Sequence, residues 1–128
     1  LRERGARLDF LGYTFQYHKD RYGRNRMYLN VTPSRKALKR EREQLRRMTG
    51  KERCFKPLPR MVADLNRHLL GWSNYFSFGY PREAFREINR YVRYRLTRHL
   101  KRRSQRPYQP PEGWTMYRHL KEMGLVYL

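Results

Sequence analysis

Cysteine is almost missing from this chain: Cys54 is the only one in 128 residues. One thiol closes no intrachain disulfide. With no CxxC or HxxxH spacing anywhere, it builds no zinc cluster either. No histidine or acid stands beside Cys54 in a recognisable catalytic arrangement, so Cys54 and Phe55 read as packing residues. Long apolar runs are missing too. Nothing approaches the roughly 18 consecutive apolar residues of a membrane span, and no signal-peptide pattern is visible. Acidic residues are scarce, at 11 Asp and Glu. They never form the pair of adjacent aspartates that a polymerase needs for its metal ions. There is no GxGxxG, P-loop or GxSxG motif. The histidines His18, His68, His99 and His119 are scattered. His68 and His99 fall near the expected helical core, where a structural role is the ordinary one. No active site follows from these residues.

What is abundant is positive charge. Lys and Arg number 31, giving a net charge of +20. Such a charge repels itself in a folded chain, so it implies a polyanionic partner. Nucleic acid comes first and an anionic membrane surface second, against the plainer reading of a soluble basic surface. Hydrophobic residues are 38% of the chain, low for a free-standing domain. Aromatic residues are 15%, with 11 Tyr, which a disordered basic tail would lack. The length suits one domain with a modest core.

The stretch from Leu58 to Phe78 organises the rest. Leu58, Met61, Val62, Leu65, Leu69, Trp72 and Phe76 recur at helical offsets and make one apolar stripe. Pro57 and Pro59 suit its start, and Gly79, Tyr80 and Pro81 its end. Gly71 in its interior implies a close backbone approach or a kink, since glycine costs about 1 kcal/mol there against alanine. Upstream, Leu8–Tyr17 reads as one strand, with Leu11, Tyr13, Phe15 and Tyr17 on a buried parity and Gly12 at a bulge or close approach. Arg26–Thr32 reads as its hairpin partner across a basic loop holding His18, Lys19, Arg21, Arg24 and Arg26. Thr32-Pro33-Ser34 then starts a helix reaching about Thr49, stopped by Gly50. Its apolar face carries Ala37, Leu38, Leu45 and Met48, with Glu41 among them. Lys36, Lys39, Arg40 and Arg47 lie opposite, with Glu43 among them.

A third helix is expected over 81–103. Its apolar face is Ala84, Phe85, Ile88, Tyr91, Val92 and Leu96, with Arg95 and His99 projecting on the same side. Glu41 and Arg95, opposite in sign and each on a core face, are expected to pair. The far side reads Arg86, Arg90, Arg93, Thr97 and Lys101, a cationic stripe about 22 Å long. No acid interrupts it. A merely solvated face mixes signs to gain i,i+4 pairs, so a bound phosphate backbone explains this stripe better. A proline-rich link covers 104–111. A short helix over Glu112–Met123 follows, then Leu125–Leu128 as a strand or docked tail. Tyr75, Tyr94 and Tyr108 are available to stack bases, with packing an equal alternative for each, and Asn74 could bond RNA or cap a neighbour.

Three stretches resemble a known family. LDFLGYTF at 8–15 is similar to the segment closing the palm region of group II intron-encoded reverse transcriptases. TPSRKALKR at 32–40 resembles the opening of their maturase-specific region. LNRHLLGWSNYF at 65–76, with AFREINRYVRYRLTRHLKRR at 84–103, resembles later segments of it, and 112–128 looks like the end of such proteins. The resemblance implies a fold that is mostly α: a small N-terminal β-hairpin, three amphipathic helices in a thumb-like bundle and a short C-terminal helix. It implies the end of the palm at 1–31, the maturase or thumb domain at 32–103, and a link and tail at 104–128. The function implied is binding of intron RNA to assist splicing, and gripping of template and primer during reverse transcription and intron mobility. The residues expected to meet RNA are Lys36, Lys39, Arg40, Arg47, Arg60, Arg67, Arg86, Arg90, Arg93 and Lys101. The implied partners are group II intron RNA, template-primer and an upstream palm, with no membrane. No cofactor is expected in this chain, although the parent polymerase would need magnesium. The chain opens at Leu1 and is expected to be the end of a longer protein, cytoplasmic or organellar and not secreted. Two other classes stay open: a DNA-binding module, and a structural module whose aromatic strand completes a larger sheet.

Overall fold

Gly12 decides how the chain begins. Leu11 has φ 54° and Gly12 φ 85°. Two successive left-handed residues make the tight turn that reverses a strand. In the computed structural model, which describes residues 7–19, 27–50, 53, 55–103 and 109–128, the expected single strand over 8–17 is therefore two. These are β1 (Arg7–Phe10) and β2 (Tyr13–Lys19), with Phe10 opposite Tyr13. β3 (Met27–Pro33) pairs antiparallel with β2, giving the order β1-β2-β3. The hairpin is thus a three-stranded meander. Neither parity of β2 is buried over its described side chains. Residues 12–17 are all half-buried, and among the described side chains the buried sheet residues are Val31 and Pro33 on β3. The expected close approach at Gly12 is present, since a Cβ there would lie 3.2 Å from the Phe76 ring. The basic loop residues Arg21, Arg24 and Arg26, Cys54, Tyr108 and most of the 104–111 link lie outside the described residues.

Pro33 closes β3 instead of opening the helix, and Ser34 caps α1 (Arg35–Met48), its Oγ accepting the Ala37 N–H at 3.1 Å. Such a cap contributes about 1 kcal/mol. α2 (Leu58–Tyr75) buries Met61, Val62, Leu65 and Leu69. It ends three residues before the expected Phe78. Phe76 caps it, donating its N–H to the Trp72 carbonyl at 3.0 Å. The chain then crosses β3, where the Tyr80 N–H donates to the Val31 carbonyl at 2.8 Å. Gly79 (φ 83°) lies so close to this strand that a Cβ would stand 2.6 Å from that of Val31. Gly71 does not give the close approach expected of it: α2 continues through the position, and no atom outside its own stretch of helix lies within 4 Å of where its Cβ would be.

α3 (Arg82–Arg103) buries Ala84, Ile88, Val92, Leu96 and Leu100 together with Arg95 and His99. α4 (Met116–Glu122) is shorter than expected, because the Thr115 hydroxyl caps it by accepting the Arg118 N–H. Trp114 lies before the helix, with the Arg118 guanidinium 4.2 Å above its ring. The core joins Leu45 of α1, Met61 to Leu69 of α2, Ile88 to Leu100 of α3 and Leu120 of α4 with Leu125. Each fully buried leucine there contributes about 1.5–3 kcal/mol relative to leaving it exposed.

The last residues form no strand. They dock as an extended tail held by two asparagines. Asn66 of α2 donates to the Gly124 carbonyl and accepts the Val126 N–H, both at 2.8 Å. Asn89 of α3 donates to the Leu128 carbonyl at 3.2 Å and accepts its N–H at 2.9 Å. Each amide serves the tail backbone as a neighbouring strand would. Among the described residues no helix is long and apolar enough to cross a membrane.

Candidate nucleic-acid interface

The helical spacing that buries one face of each helix turns the cationic residues outward. Lys36, Lys39, Arg40, Arg47, Arg60, Arg67, Arg86, Arg90 and Lys101 are exposed, and Arg93 is half-buried. They fall into separate groups. Arg86, Arg90 and Arg93 line one cavity of about 460 Å³ beside Asn89, Tyr117 and Tyr127. Arg40 and Arg47 line another, of about 660 Å³, with Trp72 and Tyr75. Lys36 joins Arg40 in a third, near Asp9. Arg60 and Arg67 of α2 flank Asp64. The Asp64 carboxylate is bonded to Lys56, and that bond holds its pKa below the usual value, with Arg67 and Arg60 adding to the effect. Lys39 and Lys101 stand outside these cavities.

The faces differ in how much of their charge is already compensated. On α1 the exposed Glu43 sits by Arg40 and Arg47, and the Gln44 side chain accepts from Arg47 at 2.8 Å. On α3 the nearest acid in sequence, Glu87, pairs with Arg42 of α1 at 3.0 Å. It is thereby drawn off the stripe. Among the described residues no carboxylate comes within ion-pair range of Arg86, Arg90 or Arg93. Side chains that repel one another without local compensation favour a bound anion.

Glu41 and Arg95 do not pair. Glu41 bonds His68 of α2 at 2.6 Å, while the Arg95 Nε donates to the Thr49 hydroxyl at 3.1 Å. The reason is the direction of the faces. Glu41 looks toward α2, and Arg95 reaches the C-terminal end of α1, where Thr49 itself donates to the Leu45 carbonyl. The Glu41 hydrogen bond raises the His68 pKa above its ordinary 6.5. His99 is fully buried, and among the described residues no hydrogen bond of normal geometry reaches either ring nitrogen. Burial, and then the nearby Arg103, push its pKa down, although the Thr49 backbone lies close enough to oppose this.

Tyr75 is tied into packing. Its hydroxyl donates to the Leu11 carbonyl at 2.7 Å, and its ring stacks on Tyr13. Tyr94 is 54% exposed, with its ring 6.3 Å from that of Tyr91 and its hydroxyl accepting from Arg98 at 3.2 Å. Sequence reasoning missed Tyr117 and Tyr127 as a pair. Their rings stack at 4.4 Å, but Tyr117 carried only the helical spacing of a core residue, and Tyr127 the look of a strand. Among the described residues no three His, Cys, Asp or Glu side chains come together as a metal site.

Residues 38–120 match the family model described as "Group II intron, maturase-specific domain". A search of curated proteins found no match.

Proposed function

The chain belongs to the group II intron maturase-specific domain family, and from that premise we propose that it binds intron RNA through the outer faces of α1, α2 and α3 to assist splicing. The observation that carries this reading is the α3 stripe: Arg86, Arg90 and Arg93 gathered on one face, with no carboxylate among the described residues paired to them. Structured RNA is held largely through shape and phosphate, which such a face supplies. Lys36, Lys39, Arg40, Arg47, Arg60, Arg67 and Lys101 widen the footprint. In a parent reverse transcriptase the same faces grip template and primer. β1 supports a further part of this reading. It is an edge strand with Leu8, Phe10 and the adjoining Leu11 at 46%, 59% and 67% exposure. An open apolar edge suits docking against an upstream palm.

The test is binding of this chain to a group II intron RNA, an unrelated structured RNA of equal length and duplex DNA over a salt series. Selective intron binding that survives physiological salt is expected. Equal binding to all three, collapsing steeply with salt, would leave only non-specific electrostatics.

A further inference from the structure

The cavity of about 460 Å³ between α3, α4 and the C-terminal tail brings three arginines together with a stacked pair of tyrosines. Its floor is the face of α3 bearing Arg86, Arg90 and Arg93. Its wall is the Tyr117–Tyr127 stack, with the Tyr127 hydroxyl donating to the Tyr117 carbonyl at 3.2 Å. We propose that this cavity holds a single unpaired nucleotide of RNA, its base stacked on Tyr117 and its flanking phosphates on Arg86, Arg90 and Arg93. The proposal rests on the RNA-binding reading above and names one site within it.

Size argues for one nucleotide. The cavity falls in the range of small-molecule sites, about 300–1,000 Å³, which a duplex cannot enter. Charge argues for phosphate, since three arginines line it and the other described lining residues, Asn89, Tyr117, Tyr127 and Leu128, bring no acidic side chain. Arg86 and Arg93 lie about 10 Å apart along the helix axis, room for the phosphates on both sides of one nucleotide. Stacking is prepared in advance: Tyr127 backs Tyr117 at an interplanar angle of 28°, while Tyr117 stays 43% exposed. The Arg93 guanidinium lies 6.0 Å from the Tyr117 centroid. That is the outer limit of a cation–π contact, about 6 Å, so turning toward a phosphate sacrifices little. The amide of Asn89 is held by Leu128 and the Tyr127 hydroxyl by Tyr117. With those groups engaged, the site selects for a base being unpaired and not for which base it is.

The experiment is fluorescence anisotropy of the whole chain with two hairpin RNAs, identical except that one carries a single bulged nucleotide. The bulged hairpin is expected to bind roughly tenfold more tightly, as one stacked base provides. Tyr117→Leu is expected to abolish that preference and Tyr117→Trp to keep it. A 4-thiouridine in the bulge is expected to photocrosslink to the Tyr117 region of the unaltered protein, a result independent of how any variant folds. Equal affinity for the two hairpins with no such crosslink would overturn the nucleotide site while leaving the RNA-binding reading standing. Binding of neither hairpin would remove that reading, and the site with it.

Discussion

Replacing His68 by alanine should destabilise this protein far more than its 30% side-chain exposure suggests. The Glu41 side chain is 2% exposed, its Oε1 meets the His68 Nε2 at 2.6 Å, and its Oε2 has no partner among the described residues. His68→Ala therefore leaves a buried carboxylate with neither oxygen bonded. Breaking a buried pair in this way costs about 3–5 kcal/mol. Water can enter from the His68 side, so the low end applies, about 3 kcal/mol. In a chain of this size that lowers Tm by about 10 °C. Glu41→Leu combined with His68→Leu should be close to neutral, since it removes the charge along with its partner. The pH dependence has a definite sign. His68 has a raised pKa in the folded protein, so its contribution is fully present below about 6.5, the ordinary histidine value. It is lost as pH rises through the folded value. His99 works in the opposite sense, its depressed pKa giving stability that is lost as pH falls below the ordinary value. The His99 effect is common to wild type and Glu41→Gln and cancels when their Tm values are subtracted. Thermal unfolding followed by circular dichroism should show that difference larger at about pH 6 than at about pH 9. A His68→Ala loss within about 0.5 kcal/mol, or a wild-type-minus-Glu41→Gln difference flat in pH, would refute the reasoning.

Gly71→Ala should raise stability by about 1 kcal/mol in urea denaturation, because the position is exposed, helical and unobstructed. Gly79→Ala should lower Tm, losing more than about 1 kcal/mol, since its φ is positive and Val31 occupies the space a methyl would need. Asn66→Leu should speed amide exchange at Val126 at least about tenfold by removing two backbone-directed hydrogen bonds. Unchanged protection there would mean that apolar packing alone docks the tail.

The helices were legible in the sequence because their apolar residues repeat at one period for several turns. The stripe from Met61 to Leu69 and the Ala84, Ile88, Val92 and Leu96 face are the buried ones. The N-terminal sheet was harder to read. Leu11 adopts a left-handed turn conformation that sequence assigns to Gly, Asn or Asp, so the reversal at Leu11-Gly12 looked like continuous strand. The end of α2 depends on Gly79 fitting over Val31, a tertiary contact with no local signature. Glu41 and Arg95 were correctly marked as buried charges. Their partners depended on how the helices face one another, which the spacing within either helix does not encode. The outward turn of the ten cationic residues was legible from periodicity. Their division among cavities, and the tyrosine pair beside Arg93, required the docked tail.

The claim that α3 presents its cationic face to RNA is tested most directly by Arg86→Glu, Arg90→Glu and Arg93→Glu in one protein. Intron RNA binding is measured across a salt series, with Tm recorded alongside. Arg86 and Arg90 are exposed and Arg93 half-buried, so the fold should survive. Affinity should be lost at moderate salt, and any residual binding should have a salt slope shallower by about 2–3. A folded triple variant that binds intron RNA as tightly as wild type at moderate salt would contradict the account.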